Sequence, residues 1–264
     1  AQGNRERIET ISLGNRDVVL VTEGDKHSIF GRNLFNNKNL TFEPSLNIPT
    51  PENYVLGPGD EVIIDIWGNS ELTVRQVISP EGNINVSNIG PIYLNGKRIQ
   101  EASSYLKAMF SRIYSDLASE NPSTFLKVSL GQIRSIQVNV MGEIVMPGTY
   151  MLPSLATVFH ALYAAGGVNN VGTLRDVVLY RNGKAFKHVD VYDYIMNGNN
   201  SFDITLQDGD LINVGTYEKI VTVVGKVKRP MRYEMKGEES LTQLLEYAGG
   251  FASDAYKKNV NVSR

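Results

Sequence analysis

The residues with the clearest potential for chemistry in this sequence are two groups of closely spaced carboxylates. Asp60, Glu61 and Asp65 form the first group, and Asp208 and Asp210 form the second. Pairs of carboxylates catalyse glycoside hydrolysis when they lie ~5–10 Å apart and one of them has a raised pKa. Glu61 and Asp65 share strand parity, so both side chains are predicted to point to the same face of a strand. A periplasmic enzyme that acts on glycans is therefore one hypothesis for this chain.

The neighbours of these carboxylates favour a structural role instead. Asp60 follows Gly59, and Asp208 precedes Gly209. Aspartate beside glycine commonly caps a turn, because its carboxylate accepts hydrogen bonds from nearby backbone N–H groups. We therefore predict that two motifs are signatures of the fold and that the chain has no catalytic residue. The motifs are Gly57, Pro58, Gly59 and Asp60, and Asp208, Gly209 and Asp210.

Other patterns that could hold a metal or a cofactor are weak. The chain has no cysteine, which excludes disulfides, Cys-rich zinc sites and thiol nucleophiles. His27, His160 and His188 are isolated in the sequence and lack the spacing of metal ligands. The segment Gly90–Arg98 resembles a phosphate loop, but five residues separate its glycines and Arg98 stands where a Ser or Thr is needed. We expect a turn there, and we expect no metal or cofactor.

Composition and charge narrow the class of protein further. The chain has 264 residues, of which 42% are hydrophobic and 20% charged, so two or three folded domains are expected. Lys and Arg total 26 against 28 Asp and Glu, and this balance disfavours nucleic acid as a partner. The longest apolar stretch, 158–168, is interrupted by His160 and is too short to cross a bilayer. The first residues, from Ala1, contain no signal-like apolar core, so we interpret them as a mature or trimmed start.

An internal repeat organises the second half of the sequence. The segment 138–168 aligns without a gap with the segment 221–251, at a constant offset of 83 residues. So many matches in one order indicate two copies of one module. The matched positions are Gly142 with Gly225, Pro147 with Pro230, Tyr150 with Tyr233, and Gly166 and Gly167 with Gly249 and Gly250.

Each copy has the pattern of a strand, a turn, a returning strand and a short helix. Alternating valines predict the first strand, glycine and proline mark the turn, and the matched tyrosines are predicted to lie in the core. Ser240 is a candidate N-cap, and both helices are predicted to end at Gly-Gly. The residues predicted to face the core are Leu155, Val158, Phe159 and Leu162 in the first helix, and Leu241, Leu244, Leu245 and Ala248 in the second.

The two copies differ in how much of the module they contain. The first continues through strands around a turn at Asn182-Gly183 to the segment 208–214. The second stops at Arg264, before the matching part, and we interpret it as truncated.

Residues 54–135 have the pattern of a separate domain. A tight turn at 57–59 precedes an alternating strand, and the segments 72–78 and 84–86 are predicted to form a hairpin around a turn at 79–83. An amphipathic helix is predicted over 98–118, with a stripe of Ile99, Leu106, Met109, Phe110, Ile113 and Leu117. Residues 1–53 are predicted to be an extension or linker, whose apolar pieces at 18–21 and 29–35 pack on another part of the chain.

Several of these segments resemble a known family. Residues 57–68, GPGDEVIIDIWG, and the run from Val77 to Ala102 resemble the polysaccharide biosynthesis/export domain of Wza-like outer-membrane polysaccharide export proteins. The two copies, with their turn of Gly142, Pro147, Gly148 and Tyr150 and their AGG ending at Gly166 and Gly167, resemble the SLBB β-grasp modules of that family. The second copy departs from the pattern, with Met231 where the first has Gly148.

The resemblance implies an α+β fold with four parts. These are an N-terminal extension at 1–53, a polysaccharide biosynthesis/export domain at 54–135, a first SLBB β-grasp domain at 136–217 and a partial second one at 218–264. It also implies the periplasmic portion of an outer-membrane channel for capsular polysaccharide or exopolysaccharide, formed by self-assembly into a homo-oligomer. The expected partners are the polysaccharide cargo and an inner-membrane polysaccharide co-polymerase of the tyrosine-kinase type. A lipid anchor on a preceding cysteine is common in that family.

A soluble β-grasp receptor for a small ligand or a glycan is the alternative to an export component. Sugar contact in proteins usually needs an aromatic platform, but Trp67 is the only tryptophan and the tyrosines are scattered. Arg75 and Lys97 are interpreted as residues of a solvated face. The sequence therefore assigns no sugar-contacting residue.

Overall fold

The computed structural model describes residues 28–35, 51, 53–199, 204–256 and 261. The chain divides into two compact units. The leading unit contains Thr41–Ile136 and Met151–Leu155, and the repeat unit contains Ala1–Leu40, Gln137–Tyr150 and Ala156–Arg264.

The leading unit combines strands with one helix. Its elements are β1 (Glu61–Gly68), β2 (Leu72–Val77), β3 (Asn83–Val86), β4 (Gly90–Tyr93), α1 (Ile99–Phe110), a 3-10 helix (Ser115–Ala118) and β5 (Thr124–Leu130). The strands β2, β1 and β5 form an antiparallel sheet in that order, and β3 pairs with β4.

Buried and more exposed residues alternate along β1, so its two faces differ. Val62, Ile64 and Ile66 are buried and pack with Leu106 and Phe110 of α1. The side chains between them point to the other face of the sheet, because successive residues of a strand alternate. The apolar stripe of α1 and one face of β1 therefore make the core of this unit.

Two predictions for this unit are wrong in detail. The helix predicted over 98–118 ends at Phe110, where Ile113 and Tyr114 both donate backbone N–H groups to the Phe110 carbonyl in a tight turn. Ile113 is consequently exposed.

The predicted hairpin between 72–78 and 84–86 does not form, because β2 pairs with β1 and β3 with β4. The turn between β3 and β4 is shorter than the connection between β2 and β3, and Asn88 in the turn and Gly90 directly after it both have positive φ. The short turn therefore pairs β3 with β4 and not with β2.

The repeat unit holds the second copy of the module and most of the first, whose strands β6 and β7 each extend a few residues into the ranges of the leading unit. The first copy contains β6 (Ser135–Gly142), β7 (Gly148–Pro153), α2 (Val158–Ala164), β8 (Gly172–Arg181), β9 (Lys184–Val189), α3 (Val191–Asn197) and β10 (Leu211–Thr216). The second copy contains β11 (Lys219–Thr222), β12 (Arg232–Met235) and α4 (Leu241–Tyr247). The first copy forms a mixed sheet in the order β7-β6-β10-β8-β9, in which β10 runs parallel to β6 and antiparallel to β8.

Backbone hydrogen bonds recur at the offset seen in the sequence. Val145 N–H donates to the Gly167 carbonyl over 3.0 Å in the first copy, and Lys228 N–H donates to the Gly250 carbonyl over 3.0 Å in the second. The helices α2 and α4 have the same length and begin at matched positions. The prediction that the segments are two copies of one folding unit is therefore confirmed.

The helix stripes are predicted correctly only in part. Leu155 precedes α2 and packs against the core of the leading unit. Leu241 begins α4 but is exposed. In the first copy the matching residue, Val158, is buried and donates its N–H to the Ile204 carbonyl. Among the described residues of the second copy no strand takes the place of the segment around Ile204, so the start of α4 stays uncovered.

The apolar segment predicted at 29–35 packs inside the repeat unit. Phe30 lies between Tyr192 and Tyr233, with ring centroids 5.3 and 5.4 Å away. Phe35 packs against α2. This prediction is confirmed, whereas the segment predicted at 18–21 lies outside the described residues. No helix in the described part of the chain is long and apolar enough to cross a membrane.

Candidate functional site

The first predicted motif forms a single turn in the leading unit, around a buried carboxylate. Asp60 has no solvent exposure, and its oxygens accept hydrogen bonds from the Gly57 N–H (2.8 Å), the Tyr54 hydroxyl (2.7 Å) and the Arg134 N–H (2.9 Å). The Arg134 guanidinium completes the set with an ion pair. Gly59, at φ +93°, closes the turn. Burial raises the pKa of Tyr54, so its hydroxyl stays protonated as a donor.

The second motif, Asp208, Gly209 and Asp210, forms a similar turn in the first copy of the module. Asp210 is buried, accepts a hydrogen bond from the Gln207 N–H (2.8 Å) and pairs with Arg181 (2.7 Å). Gly209 is again at positive φ, and Asp208 accepts the Gln137 N–H (2.7 Å). In both units the motif therefore starts a core strand with a carboxylate that satisfies backbone donors.

The carboxylates that suggested glycoside hydrolysis have hydrogen-bonding roles. Asp65 accepts the Thr73 hydroxyl over 2.8 Å, and Glu61 accepts the Gln132 N–H over 3.0 Å. Asp60 and Asp210 are enclosed by their arginines. Within the described residues, no group of three His, Asp or Glu side chains could hold a metal ion.

The remaining signature residues of the first copy lie in or next to the loop between β6 and β7. Gly142, at φ +86°, passes so close to the Val214 carbonyl oxygen that a Cβ would lie 2.1 Å from it. Gly166 and Gly167, both at positive φ, end α2, and Gly167 accepts the hydrogen bond that anchors the loop containing Pro147. At Gly148 a Cβ would meet no atom within 4 Å, which explains why the second copy accommodates Met231.

The matched tyrosines make the same hydrogen bond in both copies. The Tyr150 hydroxyl donates to the Met146 carbonyl, and the Tyr233 hydroxyl donates to the Arg229 carbonyl over 2.6 Å. Tyr233 is fully buried, but Tyr150 is only partly buried. The prediction that both lie in the core is thus correct only for Tyr233, which Phe30 covers.

Tyr233→Phe is expected to lower the free energy of unfolding of the repeat unit by about 1 kcal/mol, because the partly buried hydrogen bond to the Arg229 carbonyl is lost. Tyr150→Phe is the matched control, and its effect should be smaller since water reaches that hydroxyl. Urea unfolding followed by near-ultraviolet circular dichroism measures both. Equal losses for the two variants would contradict this expectation.

A buried charge cluster joins the two copies, and sequence reasoning missed it. Arg175, only 6% exposed, makes two hydrogen bonds to Asp190 (2.9 and 3.1 Å) and two to Glu239 (3.0 and 2.6 Å). Its guanidinium lies beside the rings of Tyr192 and Tyr247, 4.5 and 5.3 Å from their centroids, and the two rings contact each other edge to face. We call Arg175, Asp190, Glu239 and the neighbouring Glu234 the junction cluster.

Protonation in the junction cluster is set by burial and by these hydrogen bonds. Burial opposes ionisation of Glu239, but hydrogen bonds from Arg175 and Tyr247 outweigh it and lower its pKa to about 2. Burial raises the pKa of Glu234, although Thr173 and the Leu174 N–H donate to its carboxylate. The junction cluster thus contains one strongly ionised glutamate and one that resists ionisation.

An exposed aromatic pair lies on the outer face of the leading sheet. Trp67 of β1 and Phe125 of β5 are directly opposite each other and stack, with ring centroids 5.8 Å apart and an interplanar angle of 25°. Each is 45% exposed. Beside them is a shallow depression of about 450 Å³, lined by Asp65, Ile66, Trp67, Glu71, Leu72 and Thr73.

Comparison with known proteins agrees with this architecture. Residues 48–129 match the family of polysaccharide biosynthesis/export proteins, and residues 136–214 and 220–264 each match the SLBB domain. The chain is 28% identical over 223 residues to the polysialic acid transport protein KpsD of Escherichia coli. The aligned segment covers 83% of this chain and 38% of the relative. A second E. coli KpsD sequence matches equally well. The chain thus spans about two fifths of the length of these curated relatives.

The domain matches and the fold lead to the same assignment. The predicted α+β class is confirmed by the helices and mixed sheets of the two units. The chain therefore carries a polysaccharide biosynthesis/export domain followed by two SLBB domains, and its predicted resemblance to polysaccharide export proteins is confirmed.

Proposed function

We propose that this chain is part of a bacterial cell-envelope protein that exports a polysaccharide by assembling with copies of itself into a conduit. The observation that carries this proposal is the domain order. An export domain precedes two SLBB domains, and the E. coli relatives with which the chain aligns over most of its length are transport proteins for a polysaccharide.

The side-chain chemistry of the described residues is consistent with a role in assembly and passage. The buried aspartates Asp60 and Asp210 hold turns through ion pairs, and Arg175 fixes the two SLBB copies to each other. The wall of a conduit must keep its shape while a polymer moves past it, and modules that are fixed to each other provide such a rigid wall. The polymer itself would move through weak and repeated contacts.

The location and partners are part of the same proposal. The chain would lie on the periplasmic side of the outer membrane, contact other copies of itself side by side, and receive its polymer from an inner-membrane polysaccharide co-polymerase. The cargo would be a capsular polysaccharide or an exopolysaccharide.

Deletion of the gene tests the proposal. We expect surface polysaccharide to disappear while polymer accumulates inside the cells, and the intact gene supplied in trans should restore export. Immunoblots of surface-extracted and total polysaccharide measure both pools. Normal surface polysaccharide in the deletion strain would refute the proposed function.

A further inference from the structure

The outer face of the leading sheet has the properties of a sugar-stacking surface. Trp67 and Phe125 are large aromatic side chains that remain about half exposed, although folding usually buries such rings. Their stacked arrangement makes one continuous apolar strip. Aromatic faces carry partial negative charge, and the C–H groups on one side of a pyranose ring carry partial positive charge. A sugar ring therefore fits on this strip.

The aromatic pair is held in place by the ends of its two strands. Gly68, directly after Trp67, has φ +109° and lies so close to Ser123 that a Cβ would be 1.9 Å from its carbonyl oxygen. Asn69 donates its side-chain amide to the Ser123 hydroxyl (2.6 Å), and Asp116 accepts the Ser123 N–H (2.8 Å). The strip is thus fixed before any ligand arrives, which lowers the entropy lost on binding.

Hydrogen-bond acceptors and hydrogen-bond donors both lie near the aromatic strip. Asp65 and Glu71 line the depression beside Trp67 and can accept hydrogen bonds from sugar hydroxyls. Arg75 and Lys127 lie exposed on the same sheet, opposite Ile63 and Asp65 in the register, and can donate. Neither cation has a side-chain ion pair with a residue that the structure describes.

The balance of these charges indicates which glycans the face accepts. Two carboxylates line the depression, while Lys127 lies opposite Asp65 and Arg75 lies opposite Ile63, so the face has no cationic excess. A polyanionic glycan would bring its carboxylates toward Asp65 and Glu71, where like charges repel. Hydroxyl and acetamido groups, in contrast, find both acceptors and donors.

We propose that the Trp67–Phe125 strip binds uncharged hexose or N-acetylhexosamine units of the exported glycan. This inference rests on the proposed function and adds the class of sugar to it. The sugar ring stacks on Trp67, Asp65 and Glu71 accept hydrogen bonds from its hydroxyl groups, and Phe125 extends the surface to a neighbouring unit. Binding is weak, because the site is open and a moving polymer must leave it.

Fluorescence provides a direct test, because Trp67 is the only tryptophan of the chain. The full chain is titrated with maltohexaose, cellohexaose and chitohexaose as uncharged probes, and with hexagalacturonate as the anionic probe. We expect a saturable change in tryptophan emission with at least one uncharged probe, and binding of hexagalacturonate at least about fivefold weaker. No change with any uncharged probe, or equal or tighter binding of hexagalacturonate, would overturn the proposal.

Matched variants separate this site from general surface effects. Phe125→Ala is expected to weaken binding by about fivefold or more, given the usual strength of a single aromatic contact. Phe125→Leu keeps the apolar volume and should restore less than half of that loss. Tyr93→Ala, at a residue that is 50% exposed in the same unit, should leave affinity within about twofold. An equal loss in Tyr93→Ala would contradict the assignment.

Other outcomes are also decisive. Calorimetry with Trp67→Ala should show no heat of binding, whereas a retained affinity would contradict the proposal. If no glycan alters the fluorescence but Trp67→Ala changes the sedimentation of the full chain, the strip is an interface between copies and the proposal is wrong. Failure here leaves the deletion phenotype intact, so the two proposals fail separately.

Discussion

Replacing Asp60 with Ala is expected to lower the free energy of unfolding of the leading unit by about 3–5 kcal/mol, a large share of a typical domain's stability. The carboxylate accepts from Gly57, Tyr54 and Arg134. Its loss leaves the Gly57 and Arg134 N–H groups unpaired and removes the ion-pair partner of the Arg134 guanidinium, whereas the Tyr54 hydroxyl keeps Ser154 (2.6 Å) as a partner. Each unpaired group costs about 1–3 kcal/mol. Urea unfolding followed by Trp67 emission reports this unit, because that residue lies in β1.

Two further variants make this prediction specific. Asp65→Ala removes a solvent-accessible carboxylate of the same unit, which accepts a hydrogen bond from the Thr73 hydroxyl, and should cost less than about 1 kcal/mol. Asp60→Asn keeps the shape but presents an amide N–H₂ to donors, so its loss should lie between the two. A loss for Asp60→Ala no greater than that for Asp65→Ala would show that the turn does not depend on its carboxylate.

Local patterns were sufficient to predict both Asp turns and the repeat. A carboxylate beside glycine makes hydrogen bonds within three residues, so the roles of Asp60 and Asp210 follow from short segments. The repeat is visible because glycine, proline and tyrosine have backbone and side-chain roles that few other residues can fill. Gly142 illustrates this, since no side chain fits between its backbone and the Val214 carbonyl.

Partners distant in the chain could not be predicted in the same way. Arg134 meets Asp60 across 74 residues, and Arg175 meets Glu239 across 64. No local periodicity encodes which of the exposed-looking charges of a sequence meet in the fold. The stacking of Trp67 on Phe125 could likewise not be predicted, because it depends on the register of β1 and β5, which places the two residues opposite each other.

The helix errors have a related cause. Leu241 continues the apolar spacing of α4 and is nevertheless exposed. An amphipathic pattern indicates which face of a helix can be buried, but tertiary neighbours decide how much of that face is covered. Val158 has the neighbouring segment around Ile204, and the start of α4 has no equivalent among the described residues.

Arg175→Met is expected to lower the free energy of unfolding of the repeat unit by about 3–5 kcal/mol. Methionine preserves much of the side-chain volume but leaves Asp190 and Glu239 without the guanidinium that bridges them. The two carboxylates then repel each other in a partly buried site. Arg175→Lys should recover only part of the loss, because one ammonium cannot make paired hydrogen bonds to both carboxylates. Urea unfolding followed by near-ultraviolet circular dichroism, with hydrogen exchange of β8 and β12 amides, measures the effect.

The double variant Arg175→Met/Glu239→Leu distinguishes a lost ion pair from lost packing. It removes the stranded glutamate, while Asp190 keeps Lys236 (2.7 Å) and the Tyr192 N–H (3.0 Å) as partners. If the uncompensated charge of Glu239 causes the loss, the double variant should be more stable than Arg175→Met by at least about 1 kcal/mol, because apolar replacements of buried ion pairs are often neutral. A double variant less stable than Arg175→Met would mean that the contacts of Arg175 with Tyr192 and Tyr247, and not its charge, join the two SLBB copies.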